Sequence, residues 1–155
     1  MKNILLLSIS LLLATGNASA ATVSGSSALV LASLVAEHSP SLIQQERDVM
    51  ARMLAGYLDF GFPENQKITV RADAITCRSS NVDITSRSCE LTFGPMRVAL
   101  KGREAHELFA TIAEVGVPPD GAAGTIYGKI SHLICTIDPN EVKQRAGGGA
   151  VCSLD

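Results

Sequence analysis

Three histidines are the residues best suited to acid–base work near neutral pH. His106 stands beside Glu107 and opens like the zinc-protease motif, which needs a second histidine four residues on to close around the metal. Residue 110 is alanine, so His106 is expected on the polar face of a helix. His132 stands three residues before Cys135, a spacing that could serve a metal only if the thiol were free. Ser131 and His132 are adjacent in a strand-like run, where neighbours point to opposite faces and cannot form a direct couple. His38 precedes Ser39-Pro40, an expected helix start, and is expected in solvent. No Gly-x-Ser-x-Gly surrounds a serine. Gly124, Gly128 and Lys129 echo a phosphate loop one residue too short, with Ile130 where a hydroxyl should hold magnesium. Gly147–Gly149 beside Arg145 suits a hairpin loop better than an anion-binding nest. The carboxylates are dispersed. No catalytic residue, metal ligand set or cofactor is assigned.

The four cysteines carry a clearer message. Cys77, Cys89, Cys135 and Cys152 are even in number and form no Cys-x-x-Cys, which points to structural bridges in an oxidising compartment. Three pairings are possible, and the local one, Cys77 with Cys89 and Cys135 with Cys152, is favoured because each pair flanks a polar, Gly- or Ser-rich loop. Closing loops of this size stabilises a fold by about 3 kcal/mol each in the chain-entropy model. A bridged loop loses less freedom on binding, so residues 78–88 and 136–151 are candidate recognition loops. Their candidate contact residues are Arg78, Asn81, Asp83 and Arg87 in the first, and Asn140, Lys143 and Arg145 in the second.

The start of the chain agrees with that compartment. Lys2 is followed by the apolar run Ile4–Leu13 and by Ala18-Ser19-Ala20, the order of a secretory signal peptide cleaved after Ala20. Both this run and Ala28–Ala36 are too short to span a bilayer, which takes roughly 20 apolar residues. Acids outnumber bases 15 to 13, and no run of bases suggests a nucleic-acid or polybasic membrane contact. The expected product is periplasmic or secreted.

The elements that must position these residues follow from periodicity. Residues 21–38 read as a flexible or short-helix lead-in, with 39–155 as a single domain. Ser39-Pro40 opens an amphipathic helix carrying Leu42, Ile43, Val49, Met50, Met53, Leu54 and Tyr57, which Gly61 and Pro63 end. Lys67–Thr76 alternates as a strand with Ile68, Val70, Ala72 and Ala74 on one side. Glu90–Phe93 and Met96–Leu100 make two more strands around a Gly94-Pro95 turn, and a second amphipathic helix runs from about Arg103 to Val115. A strand-like run covers Thr125–Ile137, and Ala150–Leu154 closes the chain. The aromatic cluster Tyr57, Phe60 and Phe62 is expected to be buried. The fold class is α+β: an antiparallel sheet of four to five strands with two or three helices on one face, stapled by two local disulfides. Each half reads helix, strand, cysteine, loop, cysteine, strand, so a duplicated helix-hairpin unit is an open alternative to two unrelated hairpins.

With a cross-linked scaffold and no catalytic motif, the expected function is a non-enzymatic binding or inhibitor module of the bacterial envelope, its partner another extracytoplasmic protein. The alternatives are a structural or assembly component, and a hydrolase whose site is gathered from distant residues around His106 or His132.

Overall fold

The computed structural model describes residues 21–80, 83–115, 120–122, 125–145 and 148–155. The expected signal peptide and Asn81 lie outside them. In chain order the elements are β1 (Ala21–Ser24), α1 (Ser26–Ala36), α2 (Gln44–Leu54), β2 (Ile68–Ala72), β3 (Ala74–Ser80), β4 (Ser88–Phe93), β5 (Met96–Lys101), α3 (Gly102–Glu114), β6 (Asp120–Ala122), β7 (Thr125–Ile130), β8 (Leu133–Ile137), α4 (Pro139–Gln144) and β9 (Ala150–Leu154). The class is α+β, the strands are antiparallel, and both disulfides are the local ones. The strands divide between two sheets, in the orders β1-β9-β8-β2 and β5-β4-β3-β7-β6. No helix among the described residues is long and apolar enough to cross a membrane.

The division into two sheets has a local cause. β2 runs into β3, and β7 into β8, and their two ladders, Ile68↔Ile137 to Ala72↔Leu133 and Ile75↔Ile130 to Ser80↔Thr125, keep the same register across the gap between them. At Asp73 the buried side changes phase, from Ile68, Val70 and Ala72 to Ile75, Cys77 and Ser79. The opposite strand slips at the same level, from Gly128 and Ile130 to Leu133, Cys135 and Ile137. Because side chains alternate strictly along a strand, such a slip turns the ribbon's other face to the core. Third strands therefore add on opposite edges, β9 to β8 on one side of the bend and β4 to β3 on the other. Asp73 N–H leaves the ribbon to donate to Thr92 O, and Ser131 N–H likewise donates to Asp155 O. The alternation expected through Ala74 thus breaks one residue earlier.

The two halves share one topology. The order β1-β9-β8-β2 matches β5-β4-β3-β7 strand for strand, with α1 following β1 as α3 follows β5. Gly25 and Gly102, both at positive φ, turn the chain from strand into helix. Ala28, Leu31 and Val35 of α1 recur as Ala105, Leu108 and Ile112 of α3, each later by the same number of residues, and all are buried. In each half the bridge joins residues directly opposite across a ladder, Cys77↔Cys89 and Cys135↔Cys152. Each bridge also touches its helix: Cys89 Sγ lies 3.5 Å from Ala105 O, and Cys152 Sγ 3.5 Å from Ala28 O. This geometry favours the duplicated unit.

Residues 21–38, expected as a flexible or short-helix lead-in, do hold a short helix, α1, and it packs into the core. α1 carries no charged residue, and a helix without a polar face is stable only when enclosed. It packs on β9, β2, β8 and β1 and against α2 and α3, with Leu31, Ala32 and Val35 wholly buried. α2 begins later than Ser39-Pro40 suggests, at Gln44, where the Glu46 carboxylate accepts from Ile43 N–H at 3.0 Å. Ser39 instead closes the turn after α1, its N–H donating to Ala36 O. Of the aromatic cluster Phe60 is buried and Phe62 packs partly on the core, whereas Tyr57 is 66% exposed beside Leu58.

Candidate functional site

Both cysteine loops are folded rather than free. Cys77 and Cys89 lie within strands, so Arg78 is a β3 residue, exposed on the sheet. Beyond it Asp83 caps a 3-10 turn over Ile84–Ser86. The Thr85 hydroxyl (2.6 Å) and backbone N–H (2.9 Å) both donate to Asp83 Oδ1, which holds that carboxyl below the usual aspartate range. Arg87 fastens the loop to α3: its guanidinium donates to His106 Nδ1 at 3.0 Å and stacks 4.6 Å from the Phe109 ring centre. The same bond takes up His106 Nδ1, one of the two ring nitrogens. Replacing Arg87 with alanine is expected to lower the free energy of urea unfolding by about 1 kcal/mol, the scale of one hydrogen bond plus one cation–π contact. Arg87→Lys should recover less than half of it, since the planar fork is lost. An unchanged urea midpoint for Arg87→Ala would mean the loop is held by its bridge alone.

The second loop contains α4, a helix of six residues where a plain loop is expected from the sequence. Asp138 caps it, with Oδ1 accepting from Asn140 N–H and Glu141 N–H at 3.1 Å, and Pro139 takes the first turn. Lys143 Nζ donates to Phe60 O at 2.7 Å and lies 4.3 Å from that ring's centre. Asn140 Nδ2 donates to Pro63 O at 3.3 Å, and Arg145 pairs with Glu141 at 2.9 Å. Gly149, at φ 76°, passes so close under α4 that an added Cβ would stand 2.6 Å from Asp138 O. Of the expected loop contacts, then, Arg87, Asn140 and Lys143 serve as fastenings, and Arg145 is matched by an acid. A cavity of about 270 Å³ beside this loop is lined by Lys67, Arg145, Asp138 and Glu141, whose charges balance.

The histidines are not gathered together by the fold into one described site. His132 is exposed at the ribbon's bend, its carbonyl accepting from Asp155 N–H, and Cys135 is bridged. His38 is largely shielded and has its Nε2 3.8 Å from Glu104 Oε2, with a Glu37 oxygen within 4.8 Å of both. These three side chains could hold a divalent cation between the end of α1 and the start of α3, with two exposed carboxylates and one imidazole as donors.

The most distinctive surface is the outer face of the five-stranded sheet, opposite α3. Cys77, Cys89, Leu91, Leu100 and Ile130 point inward, so their neighbours point out. One row across the sheet reads Asp120, Tyr127, Arg78, Ser88, Lys101; the next reads Lys129, Thr76, Glu90, Ala99; in the third, Thr92 stands opposite Arg97. Arg78, Lys101, Lys129 and Arg97 are exposed, as is Tyr127 at 44%. Glu90 is the carboxylate among the described side chains of these rows, 3.7 Å from Arg97. In a chain richer in acids than bases, cations distant in sequence are thus collected on one face. The sequence held the signal for it, because each cation occupies the outward phase of a strand whose inward phase is apolar or small.

Compared with known proteins, the chain matches no family model, and neither a curated protein nor a solved structure matches it.

Proposed function

We propose that this protein is a non-enzymatic binding module of the cell envelope, exported and cleaved after Ala20, whose recognition surface is the basic outer face of the five-stranded sheet. The single observation that carries the reading is the set Arg78, Lys101, Lys129 and Arg97 on one face of a cross-linked sheet. β3 and β7 are paired on both sides and β5 along its edge to β4, and with the Cys77–Cys89 staple they hold these charges in a set pattern, so little ordering is lost on binding. A cluster of one sign on a protein surface attracts and orients a partner of the other sign. The partner is another extracytoplasmic protein with acidic side chains. The bridged loops contribute as rigid flanks, because their own polar residues are used internally.

The test is capture from envelope extract on immobilised, oxidised protein spanning residues 21–155, beside the triple variant R78E/K101E/K129E and a disulfide-reduced sample. The expected result is a stoichiometric partner retained by the oxidised protein, released by raised salt, and lost with charge reversal. Retention that is indifferent to the triple reversal would remove the sheet face from the proposal.

A further inference from the structure

We infer that the sheet face recognises a protein surface of mixed charge, acidic around a central cation, and not a uniformly anionic polymer or lipid surface; this rests on the binding reading above. Glu90 decides the matter. On β4 it has Thr76 of β3 on one side and Ala99 of β5 on the other, with Lys129 one strand beyond Thr76. Two residues along β4 stands Ser88, flanked by Arg78 and Lys101, and two residues the other way stands Thr92, opposite Arg97. One carboxylate therefore sits inside a ring of four cations. Among the described residues it pairs with Arg97, at 3.7 Å with both side chains well exposed, a contact too weak to consume either charge.

A uniform sheet of phosphates laid on this face would meet Glu90 at its centre. The attraction of the four basic residues to an anionic bilayer would be set against that repulsion. A protein can do better by placing carboxylates opposite Arg78, Lys101 and Lys129 and a lysine or arginine opposite Glu90. Alternation of sign fixes register and rejects wrong partners, since like charges brought together are costly. The dimensions agree. Four strands about 4.8 Å apart and six residues at about 3.3 Å each give a patch roughly 19 Å by 20 Å. That is the centre of an interface of ordinary size, about 800 Å² per partner once its rim is included.

The experiment compares wild type, Glu90→Arg, Glu90→Gln and the triple reversal against three probes: the protein retained from envelope extract, poly-L-glutamate, and vesicles one-quarter phosphatidylglycerol in phosphatidylcholine. Glu90→Arg is expected to weaken binding of the retained protein by about tenfold or more while strengthening binding to poly-L-glutamate and vesicles. Glu90→Gln should give a smaller loss in the first, and thermal unfolding should be unchanged in both variants. Equal or tighter binding of the retained protein by Glu90→Arg overturns the inference, as does retention of poly-L-glutamate or vesicles but of no protein. If the triple reversal abolishes binding while Glu90→Arg strengthens it, only the inference falls. If the triple reversal leaves binding intact, the reading beneath it falls too.

Discussion

Urea unfolding of the variants C77A/C89A and C135A/C152A is expected to show a loss of about 3 kcal/mol in each, and the quadruple variant is expected not to fold at room temperature. The bridges join residues 12 and 17 positions apart. Closing such loops removes freedom chiefly from the unfolded chain, and loop entropy grows so slowly with length that the two costs should agree within several tenths of a kcal/mol. Alanine is the right replacement because these side chains are buried, and a serine hydroxyl there would add the cost of an unpaired polar group. Domains of this kind have only about 5–15 kcal/mol to lose, so losing both bridges removes much of the whole. A loss under about 1 kcal/mol for either pair would show that its hairpin is held by packing alone.

Leu31→Ala and Leu108→Ala form the second large effect, each expected to cost about 3–5 kcal/mol by leaving a cavity in a close-packed core. Leu31 is the sharper case. It lies in the segment that reads as a lead-in from sequence, where truncating a side chain would cost within about 0.5 kcal/mol. In the fold it is wholly buried between the four-stranded sheet and the neighbouring helices, as Leu108 is under the five-stranded sheet. Because the two leucines hold equivalent places, the two losses should be similar. Denaturant unfolding monitored by far-ultraviolet circular dichroism reads both, and a near-neutral Leu31→Ala would remove α1 from the core.

What the sequence discloses and what it hides follow the same physical line. α3, β4, β5 and β9 are legible because each has one apolar and one polar side, which gives a period. α1 is legible only as a short helix, because its run of Ala, Leu and Val carries too weak a period to show that it is enclosed in the core. The bend at Asp73 is hidden because Ala74 and Ile75 are both apolar, and a small alanine fits the expected phase as well as the real one. α4 is a single short helix, too brief for a period, and only Asp138-Pro139 announces its start. The local disulfides are legible because each cysteine pair encloses one polar loop. The basic sheet face is legible only in part, because the outward phase of each cation can be read from its strand but Arg78, Arg97, Lys101 and Lys129 come from three strands that pairing alone makes neighbours. The loop residues misled for the opposite reason: polar groups in a loop look available, yet Arg87, Asn140 and Lys143 are spent on holding their own loops down.

The pairing of Ala21 with Leu154 places the first and last described strands side by side, as the Gly94-Pro95 turn places β4 beside β5. The two junctions are counterparts, one closed by a turn and the other open. A circular permutant could therefore exchange them. Joining Asp155 to Ala21 through a single glycine would supply a turn of the same length as Gly94-Pro95, and opening the chain between those two residues would set the new ends at the counterpart junction. Every ladder, both bridges and the charged face would survive, with the order of the halves reversed.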